Sequence, residues 1–164
     1  MPKVILFSLA PDSIENAAQE IRKYALELDR KMEALVRKLA ERGEKVAKIQ
    51  VASLDAVYTG GLLGSIEGMY SEKDRVGIVK AGVSYAIFVE YGTGVVGAGS
   101  PHPKPDGWQY DVNGHGDKGW VYLNERDGKY HWTRGYQSRP FLYNTARELE
   151  RECVGIAKEV FGLD

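Results

Sequence analysis

From Ile14 to Leu39 the apolar residues fall at alternating steps of four and three: Ile14, Ala18, Ile21, Ala25, Leu28, Met32, Leu35 and Leu39. Only an α-helix brings such positions onto one line, and steps averaging 3.5 make that line a narrow seam of the coiled-coil type. Most residues between them are charged or amide-bearing, so a single stripe is left to bury. Such a helix packs on another helix, on a neighbouring subunit or on the chain's own sheet. It is expected to begin at Asp12, an N-cap with Glu15 three residues on as in a capping box, and to stop at Gly43. Glu44 to Ala52 reads as a short helical continuation after a kink.

A second stripe of the same kind closes the chain: Leu142, Ala146, Leu149, Cys153, Ile156 and Val160, after Pro140 as a first-turn residue and before Gly162. Between the two helices the pattern turns sheet-like. Leu62 to Tyr70 and Arg75 to Lys80 read as one hairpin, and Trp120 to Leu123 with Lys129 to Thr133 as another, turning at Asp127-Gly128. Ser84 to Tyr91 suits a short helix capped by Ser84 and ended by Gly92. Lys3 to Leu9 reads as a short leading strand ended by Pro11. Residues 93–119 are rich in Gly, Pro, His and Asp and are expected to form a long, flexible surface loop. Helices that flank strands without interleaving with them make the class α+β: a long N-terminal and a C-terminal helix packed on a small antiparallel sheet, with a long irregular central loop. A length of 164 residues fits one domain, 1–164.

The composition is that of a folded protein, with 43% hydrophobic and 27% charged residues. A net charge of −1 argues against a strongly basic nucleic-acid binder. The apolar run from Val4 to Leu9 is too short for a membrane span and lacks a signal-peptide cleavage pattern, so a soluble protein made in the cytoplasm is expected. The single cysteine, Cys153, lies in an apolar helical pattern and is expected to be a small buried side chain.

Chemistry is harder to place. His102, His115 and His131, with Asp106, Asp111 and Asp117 nearby, are irregularly spaced and lack the tight pair of a metal site, so they are expected to face solvent. Ser65 after Gly64 lacks the spacing of a nucleophile elbow, and Gly92-Thr93-Gly94 has no following Gly-Lys-Ser/Thr. Glu148, Glu150 and Glu152 scatter around a helix. No cofactor, metal or catalytic group is expected, and the chain is read as a non-enzyme. Arg126, Lys129, Arg134 and Arg139 lie near Tyr130, Trp132 and Tyr136, a mixture that suits a phosphate backbone or, by preference here, a protein interface.

Four segments, taken in order, resemble one family. They are Tyr58-Thr59-Gly60-Gly61-Leu62 with Ser65-Ile66; Ser84-Tyr85-Ala86 running to Phe88-Val89-Glu90-Tyr91-Gly92-Thr93-Gly94; Gly119-Trp120-Val121-Tyr122 with Asp127-Gly128-Lys129; and Thr133-Arg134-Gly135 leading to Arg139-Pro140-Phe141-Leu142-Tyr143. The set is similar to the small neck or tail-component proteins of long-tailed phages, typified by gene product ten of the Hong Kong lambdoid phage. The chain departs from that pattern at Tyr58, where an acidic residue is usual, and in its leading Lys3 to Leu9 segment. The resemblance implies a virion protein of head-tail joining or tail completion, made in the host cytoplasm. Its partners would be copies of itself and adaptor, terminator or tail-tube proteins, with no membrane; a DNA contact is allowed, but not a specific one. The residues that carry the resemblance are Thr59, Gly60, Leu62, Tyr85, Phe88, Glu90, Gly92, Thr93, Gly94, Trp120, Gly135, Arg139, Pro140, Phe141 and Leu142, all expected to be architectural. Tyr85, Phe88 and Tyr91 are expected to anchor the short helix against the hairpin, and Phe141 to plug the core. The alternatives from other classes are a metal-assisted hydrolase using His102 and His115, and a prophage DNA-binding accessory protein using the Arg/Tyr/Trp cluster.

Overall fold

A computed structural model describes residues 4–56, 60–111, 113–124 and 127–163. Helix α1 runs unbroken from Pro11 to Ser53. Its cap is Ala10, with no side-chain hydrogen bond, and Pro11 opens the first turn in place of the expected Asp12/Glu15 box. Proline fits there because its fixed φ is helical and its missing N–H would have had no partner. Gly43 does not stop the helix. It is buried mid-helix, where an added Cβ would lie 2.6 Å from Val79 Cγ2 and 3.0 Å from Leu149 Cδ1. The glycine is there for close approach, and it lets a strand and a second helix reach α1 at one level.

That strand belongs to a hairpin. β1 (Ile66–Ser71) pairs antiparallel with β2 (Val76–Ala81), from Ile66 opposite Ala81 to Ser71 opposite Val76. The hairpin lies on α1 through Gly68 and Gly77: a Cβ on Gly68 would fall 2.2 Å from the Ala40 carbonyl oxygen, and one on Gly77 3.1 Å from that of Val36. The Gly68 N–H also donates to Glu44 Oε2 at 2.9 Å, so the glycine spacing that weakens the strand on paper seats it on the helix. The hairpin begins later than Leu62. Gly60, with φ of +78°, turns the chain into the short helix α2 (Gly61–Gly64), which buries Leu62.

α3 (Ala86–Tyr91) ends at Gly92, whose φ is +80°; Tyr85 occupies its N-cap position, and the Ser84 side chain does not cap it. Within the expected loop the chain forms α4 (Gly94–Gly99) and a 3-10 turn at Gly116–Lys118. β3 (Trp120–Asn124) and β4 (Lys129–Thr133) make the second hairpin. β5 (Gly135–Tyr136) bridges back to Thr93 and Gly94. α5 (Phe141–Phe161) then returns along α1. The fold is α+β as expected, with two separate two-stranded sheets where one small sheet was anticipated.

The core is one cluster in which Ala47 and Val51 of α1 meet Leu62, Ile66, Ala86 and Phe141. Phe141 is fully buried, which is worth roughly 3 kcal/mol for a side chain of that size. The expected stripe on α5 fails at Ala146, which is exposed, while Ile156 is buried and Leu142, Leu149, Cys153 and Val160 are half-buried; Thr145 is buried too, its hydroxyl donating to the Phe141 carbonyl at 2.7 Å. Cys153 is half-buried. Across the outer side, Arg42 holds Glu152 with two bonds of 2.7 Å, and Lys38 pairs with Glu159.

One expectation fails outright. Residues 4–10 form no strand, and Val4, Leu6, Phe7 and Leu9 are exposed; among the described residues no neighbouring strand offers them a ladder (Lys3 lies outside the described residues). The first two-thirds of the α1 seam is not packed on the chain itself, for Ile14, Ile21, Leu28 and Met32 all remain exposed. Among the described residues no helix is long and apolar enough to cross a membrane.

Candidate functional site

Glu90, at the end of α3, is buried, and both its oxygens are used. A helix start leaves N–H groups without intrahelical partners, and α5 resolves its own one by one. Pro140 has no N–H, and Phe141 donates to the Arg139 carbonyl at 2.8 Å. Leu142 donates to Glu90 Oε2 and Tyr143 to Oε1, both at 2.9 Å. With Asn144, which donates to the Pro140 carbonyl, the helix ladder begins. Glu90 is therefore the N-terminal cap of α5, supplied from about fifty residues upstream, and its charge faces the positive end of the helix dipole.

His102 approaches the same carboxylate, Nε2 to Oε1 at 3.2 Å. It is only 4% exposed, which corrects the expectation that all three histidines face solvent. Its Nδ1 sits 3.0 Å from the Lys104 N–H and 2.7 Å from the Lys104 carbonyl, and its ring lies between Tyr91 (4.4 Å) and Tyr143 (5.3 Å). Trp108 stacks on the other side of Tyr91 at 5.0 Å and donates from Nε1 to the Gly92 carbonyl at 3.0 Å. Phe88 meets Trp108 edge-on, while Tyr85 is exposed. These aromatics fasten α3 to residues 100–110 and not to a hairpin. The central segment is therefore tied to α3 and α5 by buried groups.

The same stretch of α3 is gripped by the approach to α5. Arg139 N–H donates to the Val89 carbonyl at 2.9 Å, and the Ser138 hydroxyl to the Glu90 carbonyl at 2.6 Å. Three glycines allow the chains to meet. A Cβ on Gly92 would fall 2.6 Å from the Ser138 nitrogen, one on Gly94 2.4 Å from the Arg134 oxygen, and one on Gly135 1.9 Å from the Thr93 oxygen. Trp120 lies over Gly94, and the Thr93 hydroxyl accepts from the Tyr136 N–H at 3.2 Å. Glu90, Gly92, Thr93, Gly94, Trp120, Gly135, Arg139, Pro140, Phe141 and Leu142 thus come together in one junction, with Leu62 beneath it in the core. Thr59 lies outside the described residues, and Gly60 serves only the turn into α2. The Arg139 Nε is buried with no hydrogen-bond partner among the described residues.

The other two histidines each face a different acid. Asp111 accepts from the N–H groups of His115 and Gly116, both at 2.8 Å, and these backbone bonds hold its carboxyl below the ordinary aspartate range. Asp127 accepts from the Lys129 N–H and from His131 Nε2, with the same effect. Among the described residues no three His, Cys, Asp or Glu side chains gather in a metal-holding group.

The surface carries a different signal. Along the second hairpin Val121 stands opposite Trp132 and Leu123 opposite Tyr130, so all four share one face of the sheet. Trp132 is 61% and Tyr130 76% exposed, with Val121 and Leu123 also open. Trp132 is nonetheless held in place, its Nε1 donating to the Lys118 carbonyl at 3.0 Å. Sequence reading found the two aromatics but not their aliphatic partners, although strict alternation in both strands was the available clue. Arg126 lies outside the described residues.

No family model, no curated protein and no solved structure matches the chain.

Proposed function

We propose that the chain is a structural virion protein of a tailed bacteriophage or prophage, taking part in head-tail joining and tail completion as an oligomeric neck component. The observation that carries the structural-component half of this reading is the unpartnered apolar surface, on the α1 seam and on the β3–β4 face. Contiguous exposed apolar side chains of this kind mark association surfaces. The ordered segments that resemble the neck family support the phage half. Ten of the residues that carry the resemblance, from Glu90 to Leu142, meet in the junction that joins α3, the central segment and α5, as architectural residues do. In this reading the chain catalyses no reaction; it works in the neck or tail, assembled in the host cytoplasm with copies of itself and with adaptor, terminator or tail-tube proteins. A metal-assisted hydrolase would need His102 and His115 to share an ion, and each instead faces its own carboxylate.

The test is mass spectrometry and electron cryomicroscopy of particles from the phage or induced prophage that encodes the chain. The expected result is a fixed copy number per particle located at the head-tail junction, with separate heads and tails when the gene is deleted. Absence of the chain from purified particles overturns the proposal.

A further inference from the structure

The ties between α1 and the elements packed on it begin at Asp29, which pairs with Arg75 at the tip of the first hairpin. They continue through Arg37–Glu72, Lys38–Glu159 and Arg42–Glu152. The four turns before Asp29 carry the heptad seam with Ile21 57% exposed and Ile14 and Leu28 open beside it. A helix of this length owes most of its stability to a packed apolar face, so the seam needs an occupant.

We infer that the occupant is the same segment of a second copy, packed antiparallel about a two-fold axis between Gln19 and Glu20. Two features of the seam select this pairing. The first is size. In this register Ile14 faces the other copy's Ala25, and Ala18 faces its Ile21, so every layer matches one large with one small side chain. A parallel pair stacks Ile on Ile and Ala on Ala, giving alternately thick and thin layers that cannot all close. The second is charge. Ionic side chains on the outer faces of the helix pair within the chain, as in Glu20–Lys23 and Glu33–Arg37. Glu15 and Arg22 have no ion-pair partner among the described residues, and both flank the seam on the same side, seven residues apart. The antiparallel register sets each Glu15 against the other copy's Arg22, making two ion pairs by symmetry. A parallel pair would place Arg22 opposite Ala17 and leave Glu15 without a basic partner. Beyond the four central layers, Leu28 and Met32 extend toward the other copy's residues 4–10, where Phe7 and Leu9 are exposed. This pairing rests on the oligomeric part of the proposed function and not on its phage part.

The test uses the full chain with Cys153→Ser. Sedimentation of this chain should show a species of twice the 18.2 kDa monomer mass. Two single variants, Ile14→Cys and Ala25→Cys, are oxidised separately and mixed. The mixture should cross-link. Each variant alone should not, since its own cysteines would stand about 16 Å apart along the axis, eleven residues at the helical rise. Arg22→Glu should weaken association at least about tenfold, and adding Glu15→Arg should restore it to within about threefold, because the ion pairs are rebuilt with exchanged signs. Ile21→Asp should give a monomer that loses part of its helical far-ultraviolet signal, from the seam left unpacked, and keeps the near-ultraviolet spectrum of the core, because the side chain lies outside it. A monomeric parent chain, cross-linking of either variant alone, or a dimer indifferent to Ile21→Asp overturns the inference. Absence from phage particles would sink the proposed function and leave this pairing standing, whereas a monomeric chain found in particles does the reverse.

Discussion

Replacing Glu90 with alanine removes the acceptor of three donors at once: the Leu142 and Tyr143 N–H groups and His102 Nε2. Losing an N-terminal cap costs about 1 kcal/mol where water can take its place. Here water has little access, because Glu90 and His102 are both buried, and each orphaned buried donor costs about 1 to 3 kcal/mol. Relaxation of the aromatic stack lets some water in, so the sum falls near the range for breaking a buried pair, about 4 kcal/mol. With a urea dependence of about 2 kcal/mol per molar, that moves the unfolding midpoint down by about 2 M. Glu90→Gln keeps one acceptor oxygen but turns its amide toward another donor, and should lose about half as much. The assay is urea unfolding followed by circular dichroism in the far and near ultraviolet, the latter reporting Trp108 and Tyr91 beside the site. A Glu90→Ala midpoint within about 0.3 M of the parent would refute the assignment of Glu90 as the cap that holds α5 to α3.

Gly43→Ala gains about 1 kcal/mol of helix propensity but drives a methyl into Val79, so it should destabilise by about 1 to 2 kcal/mol net. In a double-mutant cycle with Val79→Ala the two changes should couple by at least about 1 kcal/mol, and additive effects would count against the contact. Gly135→Ala meets the Thr93 carbonyl at a φ of +99° and should cost about 2 to 4 kcal/mol, with faster hydrogen exchange at the Tyr136 N–H as the local readout. Glu44, held by Lys48 and the Gly68 N–H, and Glu152, held by Arg42, have carboxyls depressed below their ordinary value of 4.5. A depressed carboxyl contributes stability that is complete above that value and is lost as pH falls through the lower folded one. Thermal midpoints should therefore drop below pH 4.5, and Glu44→Gln with Glu152→Gln should flatten that slope while sparing the neutral-pH fold.

The outer plan was legible because it rests on periodicity, which reports local geometry directly. The seam of α1, the hairpin turns and the start of α5 at Pro140 all follow from spacing. What escaped depends on partners distant in sequence. Gly43 looks like a stop because glycine usually ends helices, and only the nearness of Val79 and Leu149 shows that it is a contact point. Thr145 can be buried because its hydroxyl donates to the Phe141 carbonyl, a bond that no hydropathy scale registers. His102 sits in a Gly- and Pro-rich stretch that reads as solvent-facing, yet Glu90 draws it inward. The leading segment failed for a related reason: an apolar run becomes a strand only when another strand is there to receive its hydrogen bonds. Of the junction, Glu90 and the glycines were identified as architectural from resemblance, but their joint task at the start of α5 appears only in three dimensions.

The packing of Phe141 among residues contributed by α1, α2, β1 and α3 also sets an order of events during synthesis. Every other buried residue of that cluster is translated before residue 141, so a growing chain would hold Val51, Leu62 and Ile66 without their lid until α5 clears the ribosome. At ordinary elongation rates of about 5 to 20 residues per second, that interval lasts several seconds. The two glycine-seated strands and the long first helix would wait in a half-closed state, open to premature contact with other nascent chains on the same message. Closing the core waits on α5, and a chain truncated before α5 would have no means of closing it.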